Sequence, residues 1–479
     1  MKQRSVQYNF IMNFILTSSS ILFPLITFPY VSRILLPAGT GKVAFATGAV
    51  SYFTMAAMLG IPTYGIRAVA RVREDPVKLK TTVCELLSIN LIMGAVAYAA
   101  FFASLILVPR FAADKPLMLI CSLAILLNVI GVSWFYQGME QYTYITWVSI
   151  AFKILGVITM VLFIHSPKDD LWYGLMTVIS SFGSGIVNFV LLTVSLKGIK
   201  TETLNLKQHL KPVSTFFAIT AATTIYTNLD TVMLGFMKGD YEVGLYNAAV
   251  KIKTLLTALV TSLGTVLLPR LSYYMETNRK AEFSRLISRA FSFVLLFAVP
   301  VSLFAMAFSG QILDVLSGPE YLPAMGAMIV LMPAVVLIGL SNVSGIQILV
   351  PLGREKQVLY SVSAGALLDL ALNLVLIPEY GAAGAAMGTL AAEILVLLWQ
   401  LAALKEELKG FVSEIEWKPL LISLAISLPV LIGCFLCPFD SPLFALAVSG
   451  TLYFAAYGIG LIGSGEQTAS DLLHKIKRP

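Results

Sequence analysis

The sequence predicts an all-α polytopic membrane protein. Fourteen transmembrane helices are expected, as two six-helix lobes with a parallel pseudo-twofold repeat plus two extra C-terminal helices. Three observations predict this. Hydrophobic residues make up 58% of the chain and charged residues 12%, with a mean hydropathy of +0.84; that charged share is about half of what a soluble domain carries. Apolar stretches of about 20 residues, the length that crosses a bilayer, recur from one end to the other. Basic residues gather in alternate connections, which is the orientation signal of a membrane protein.

In order, the apolar spans cover 10–33, 43–65, 82–108, 116–138, 143–164, 172–196, 212–236, 245–268, 290–309, 324–349, 357–377, 382–404, 418–437 and 442–462. In hydrocarbon only a helix or a closed barrel satisfies its own backbone, and runs of this length and composition read as helices. With the N-terminus inside, cytoplasmic segments hold 24 of the 33 Lys and Arg residues and external loops hold 6. These sums count the span-end residues Arg33 and Lys418 with the connections they border; the remaining three, Lys153, Lys251 and Lys253, lie inside spans. The net charge of +7 therefore reports orientation, and no nucleic-acid partner is expected. The run from Phe10 to Val31 is too long for a signal-peptide core of about 7–15 residues. It reads as a retained first span of a multi-pass protein of the cytoplasmic membrane, with both termini cytoplasmic.

The chain is organised around residues 23–46, FPLITFPYVSRILLPAGTGKVAFA. Pro24 and Pro29 kink the first helix, Arg33 follows near membrane depth, and Pro37, Gly39 and Gly41 form a turn into the second helix. A cation there is costly and usually functional. The pattern recurs faintly. Gly41 precedes Gly60 by 19 residues, and Gly244 precedes Gly264 by 20, each stretch entering an apolar helix that ends near an arginine, Arg67 or Arg270. Six spans separate the two copies, so both halves keep one orientation and flank a central cavity. The expected divisions are an N-terminal lobe over 1–196, a C-terminal lobe over 197–411, and a final helix pair with its tail over 412–479. The charged segment within 270–289 has the spacing of an amphipathic helix on the inner surface or of a solvated linker.

Polar residues within spans are the informative set, because each must be sheltered from lipid. Lys153 sits midway along span 5, either as an anion-binding cation or paired with a carboxylate on a neighbouring span. Lys251 and Lys253 lie near the outer end of span 8 and are within reach of the interface. Asp230 in span 7, Asp369 with Asn373 in span 11, and Glu393 with Gln400 in span 12 are candidates for ion coupling or for pairing with the lysines. Asn90, Asn128 and Asn188 read as interhelical hydrogen bonds, and the GSG at 183–185 and GAAGAAMG at 381–388 as close-packing faces.

Enzyme chemistry is not expected. The three histidines, His165, His209 and His474, all fall near span ends. No HExxH, P-loop or GxSxG motif is present. Cys434 and Cys437 lie in an apolar run without the polar surroundings that a redox or metal site needs. No cofactor is called for; coupling to H⁺ or Na⁺ is compatible with the sequence and not required by it.

FPYVSRILLPAGTGKVAFA, LDTVMLG in span 7 and GLYNAAVKI entering span 8 resemble the Wzx-type flippases of the multidrug/oligosaccharidyl-lipid/polysaccharide exporter superfamily, along most of the chain. The resemblance implies a protein that turns a polyprenyl-diphosphate-linked oligosaccharide from the inner to the outer leaflet by alternating access, for cell-surface polysaccharide synthesis. Its implied partners are that lipid-linked glycan, the bilayer, and polysaccharide polymerase or export machinery. Arg33, Lys251 and Lys253 match positions where such members carry polar or basic residues. The LLPAGTG turn lacks the acidic residue that relatives commonly show, so no role for that residue transfers. A multidrug exporter of the same superfamily is the nearest alternative, but it would favour an acidic cavity. A lipid II-type flippase is the other. A polymerase or ligase would be expected to have a large external loop, and every external loop here is short.

Overall fold

The computed structural model describes residues 6–277, 279–407 and 417–465, and every regular element among them is a helix. In chain order these are α1 (Val6–Met58), α2 (Ile61–Val72), α3 (Pro76–Leu107), α4 (Pro109–Ala113), α5 (Lys115–Val129) and α6 (Ser133–Gly138). Next come α7 (Tyr142–Phe163), α8 (Asp170–Phe182), α9 (Ser184–Ser195), α10 (Lys207–Met237), α11 (Asp240–Glu276) and α12 (Lys280–Ala307). The last are α13 (Ser309–Ser317), α14 (Met325–Asn342), α15 (Glu355–Ala403), α16 (Trp417–Leu436) and α17 (Pro442–Gly463). Short 3₁₀ and π turns flank α14.

Among the described residues, eleven helical segments are long and apolar enough to cross a membrane. Two of them are doubled. The 53-residue α1 breaks at Leu36, with φ 59 and ψ 176, and the 49-residue α15 breaks at Gly381, with φ 53 and ψ −127. α10 is outside the eleven because its threonines, Asn228 and Asp230 lower its hydropathy. Dividing α1 and α15 at their breaks and adding α10 would bring these eleven to the fourteen expected from the sequence.

The break in α1 is tighter than expected. The sequence predicts a turn through Pro37, Gly39 and Gly41, but helix resumes at once, and Leu36 alone departs from helical geometry. The residue before a proline is pushed out of the helical region, so Pro37 sets the position of the break. Pro24 and Pro29 leave the backbone helical. The segment within 270–289 is likewise not a separate surface helix: it is the end of α11 and the start of α12, joined around Thr277.

The described contacts divide into two compact units, Met1–Gly244 and Leu245–Pro479. In the first, α1 packs on α3, α5, α7, α8 and α10, and a core around Ile61, Leu86, Trp134 and Val213 ties α2, α3, α6 and α10 together. In the second, Val260, Phe291 and Val335 centre a core of α11, α12 and α14. There α16 and α17 pair, and the hydroxyls of Tyr453 and Tyr457 donate to the carbonyls of Pro300 and Leu296 on α12.

Candidate functional site

Lys153 is buried on α7, only 9% exposed. Its Nζ donates to Ser19 Oγ at 2.6 Å and to Ser20 Oγ at 2.9 Å, both on α1. None of the ion pairs among the described residues involves it. The partners of this lysine are hydroxyls, where a structural role predicted a carboxylate. Hydroxyls accept hydrogen bonds from an ammonium without neutralising its charge, as a carboxylate would.

Arg33 lies on the first half of α1, exposed, and its Nη1 donates to the carbonyl of Pro29 one turn back at 2.9 Å. Asp230 is buried on α10 within electrostatic reach of Tyr52 of α1. All three residues belong to the first unit. Lys251, Lys253, Asp369 and Glu393 belong to the second; the lysines are half-buried on α11 and the two acids are buried on α15.

Within α15, Asp369 and Asn373 face the other side of the Gly381 break. A Cβ at Gly388 would lie 2.7 Å from Asp369 Oδ1 and 2.5 Å from Asn373 Oδ1, so this glycine lets the polar pair approach the backbone. Gln400 is a structural bridge, accepting from Ser344 Oγ at 2.7 Å and donating to Ser361 Oγ at 3.1 Å. A groove of about 420 Å³ in this unit is lined by Arg354, Gln357, Trp399, Ala402 and Ala403 and holds none of the expected residues.

The three asparagines divide. Asn188 bridges helices as expected, donating to the carbonyl of Gly131 at 3.0 Å and accepting from Tyr144 at 3.0 Å. Asn128 bonds instead to Ala124 of its own helix. Asn90, fully buried, has no hydrogen-bond partner among the described residues.

Two clusters were not visible in the sequence. The first gathers at the break in α1. Lys42 Nζ lies 2.9 Å from Asp114 Oδ1 and 3.2 Å from Asp170 Oδ2. Arg110 pairs with Asp114 at 3.0 Å and with Asp240, and its guanidinium stacks 4.7 Å over the Phe45 ring. Phe45, Phe111 and Phe236 form an aromatic triangle with centroids 5.3–6.0 Å apart. Beside it runs a backbone seam: a Cβ added at Gly41 would fall on the Asp240 carbonyl, and one added at Gly244 on the Pro37 carbonyl. The two glycines read as equivalent points of a faint sequence repeat therefore meet each other. Five charges converge here, from the second half of α1, from the segment Arg110 and Asp114 share, and from the first residues of α8 and α11, and the only sequence trace was the glycine pair.

The second cluster is at the opposite end of α10. Glu85 of α3, 1% exposed, accepts from His209 Nε2 at 2.8 Å, Gln208 Nε2 at 3.0 Å and the Asn205 N–H at 2.6 Å. His209 Nδ1 meets the Tyr64 hydroxyl of α2 at 2.9 Å. In the sequence His209 reads only as a span-end residue, and its burial does not follow from spacing.

A family model described as "Polysaccharide biosynthesis protein" matches residues 6–275, more than half of the chain. The chain belongs to that family. A second model, MatE, matches residues 217–375. The protein named "Putative O-antigen transporter" in Shigella dysenteriae is 28% identical over 407 residues, covering 83% of this chain and 99% of the relative. Its namesake in Escherichia coli (strain K12) is 25% identical, covering 82% and 95%.

Among solved structures, "Lipid II flippase MurJ, inward closed conformation" matches with a TM-score of 0.73 at 17% identity over 97% of this chain and 100% of that one. An inward-facing multidrug resistance MATE family transporter matches with a TM-score of 0.62 at 14% identity, covering 81% and 95%. This polysaccharide biosynthesis family member thus has the fold shared by those transporters and is a multi-span membrane protein. The relatives named are transporters, not enzymes, in agreement with the non-enzymatic expectation.

Proposed function

We propose that the protein is a flippase for a polyprenyl-diphosphate-linked oligosaccharide, moving the glycan from the inner to the outer leaflet of the cytoplasmic membrane by alternating access. The observation that carries this reading is Lys153: a buried cation whose partners are the Ser19 and Ser20 hydroxyls, in a chain alignable with O-antigen transporters over most of its length. A diphosphate carrying a hydrated glycan does not cross hydrocarbon unaided, because burying uncompensated charge is prohibitive. Lys153 and Arg33 in the first unit, and Lys251 and Lys253 in the second, are the groups proposed to replace water around the phosphates, with the lipid tail remaining in the bilayer. The interior-negative potential favours outward movement of an anion by about 2.3 kcal/mol per charge per 100 mV, so the step needs no nucleotide. Asp230, Asp369 and Glu393 are the proposed ion-coupling or charge-balancing groups.

The first-unit charge cluster fits one half of the cycle. With the orientation set by the Lys/Arg bias, it lies at the external end, where the Gly41–Gly244 seam and the Arg110–Asp240 pair hold α1 against the start of α11.

The test is reconstitution. Proteoliposomes loaded with a lipid-linked oligosaccharide on one leaflet are assayed for glycan reaching the other, by its accessibility to an impermeant glycosidase. Protein-dependent exposure of the glycan supports the reading; exposure no faster than in empty liposomes, with uptake of a cationic dye instead, replaces it with the multidrug exporter.

A further inference from the structure

Along α10, Thr220, Thr223, Thr227, Asp230 and Leu234 follow one another three or four residues apart, and Val213 lies seven before Thr220. That spacing puts all six on one face of the helix. The face is buried towards both ends of α10, where Val213, Asp230 and Leu234 are 6% exposed or less. Its middle is open: Thr220 is half-buried, and Thr223 and Thr227 are exposed. The opposite side of the same stretch is apolar, with Ala218, Ala222, Ile225 and Leu229. A helix at membrane depth turns its apolar side to lipid and shelters its polar side. The open threonines are therefore on the side that faces water, not hydrocarbon.

Their hydroxyl protons are already committed. Thr220 Oγ1 donates to the Phe216 carbonyl at 3.0 Å, Thr223 Oγ1 to the Ile219 carbonyl at 3.0 Å, and Thr227 Oγ1 to the Thr223 carbonyl at 2.9 Å. Each hydroxyl oxygen has two lone pairs, and only Thr227 spends one, on the Asn228 amide at 3.2 Å. Threonines bonded back to their own helix are ordinary in membrane proteins. What singles out these three is their place on the open middle of an otherwise buried face. The row is a strip of hydrogen-bond acceptors that rises about 10 Å from Thr220 to Thr227. It suits a ligand rich in O–H donors, as a sugar is, and it offers nothing to a diphosphate, whose ionised oxygens only accept.

We propose that Thr220, Thr223 and Thr227 form a glycan subsite. They accept hydrogen bonds from the hydroxyls of the sugars next to the diphosphate, and the diphosphate itself is left to the lysines. This rests on the flippase reading above and deepens it, because it gives recognition of the sugar and recognition of the phosphates to different residues.

The test uses the full chain in lipid nanodiscs and two probes, titrated by native mass spectrometry. One is bare polyprenyl diphosphate; the other is the same lipid carrying the oligosaccharide that accumulates in cells lacking the protein. Replacing all three threonines by valine keeps their shape and removes the acceptors. That triple variant is expected to bind the glycosylated lipid at least fivefold more weakly and the bare lipid within twofold of wild type. Serine at all three positions should restore binding of the glycosylated lipid, and Lys153→Met should weaken both probes. Melting temperatures of the valine variants are expected within a few degrees of wild type, because these hydroxyls bond only within α10. Should the triple variant fold poorly, Thr223→Val alone, at an exposed position, is read the same way with a loss of at least twofold. Equal weakening of both probes by the valines, no weakening of the glycosylated one, or no recovery with serine would each overturn the subsite and leave the flippase reading standing. No accumulated glycolipid, or a wild type that binds neither probe, would sink the flippase reading and the subsite with it.

Discussion

Lys153 Nζ on α7 sits 2.6 Å from Ser19 Oγ on α1, across 134 residues of sequence. A lysine at mid-span costs about 2.5–3.5 kcal/mol on insertion scales, and two hydroxyls recover only part of that. Lys153→Met is therefore expected to raise the melting temperature in detergent while lowering glycan transport at least tenfold. Lys153→Arg is expected to keep most transport. Wild-type transport by the methionine variant would make Lys153 a packing residue.

Leu36 provides a stability prediction of the opposite kind. Its conformation costs about 1–3 kcal/mol for a non-glycine residue, whereas glycine loses about 0.5–1 kcal/mol through chain entropy. Leu36→Gly should therefore stabilise the protein by about 1 kcal/mol, seen as a melting temperature a few degrees higher. A lower one would show that the side chain contributes more than the strain removes.

At the glycine seam no side chain fits. Gly41→Ala and Gly244→Ala should each destabilise the closed junction by about 1–3 kcal/mol, the usual range for overpacking, and the double variant should cost less than their sum because one displacement relieves both. Thermal melts of the single and double variants check this. Strict additivity would show that the two sites do not share a contact.

Glu85→Ala is expected to cost about 3–5 kcal/mol, because it removes the buried acceptor of three donors. Glu85→Gln should cost much less, since its amide oxygen still accepts from the Asn205 N–H. Equal losses in chemical denaturation would assign the effect to packing alone.

One pH effect falls outside the spans. Asp75 caps α3, accepting from the Lys78 and Val77 N–H groups, and the Lys78 N–H foremost holds its carboxyl below the usual value of 3.8. A carboxyl lowered by folding contributes fully above its unfolded value and loses that contribution as pH falls through the folded one. Hydrogen exchange at the start of α3 should therefore accelerate below about pH 4 in the wild type. In Asp75→Asn, which keeps an acceptor without titrating, that acid-induced change should be missing.

Much of the fold was legible, because apolar length and the Lys/Arg alternation are properties of single segments. Lys153 was legible for the same reason: a lysine at mid-span stands out whatever its partners. Ser19 and Ser20 were not, since hydroxyls are common in membrane helices and their meeting with Lys153 depends on how α1 and α7 pack. Asp114, Asp170 and Asp240 each look like an ordinary loop acid, and only the tertiary fold joins them to Lys42 and Arg110. Pro37 marked the break in α1, but not its confinement to Leu36, and the repeat suggested Gly41 and Gly244 only as equivalents and not as a contact.

The most direct measurement of the central claim is mass spectrometry of lipid-linked glycans in cells lacking this protein, with either the wild type or Lys153→Ala restored. The account predicts that one polyprenyl-diphosphate oligosaccharide accumulates, that the wild type clears it, and that Lys153→Ala does not. Cells that accumulate no such intermediate and instead become sensitive to cationic dyes would contradict it.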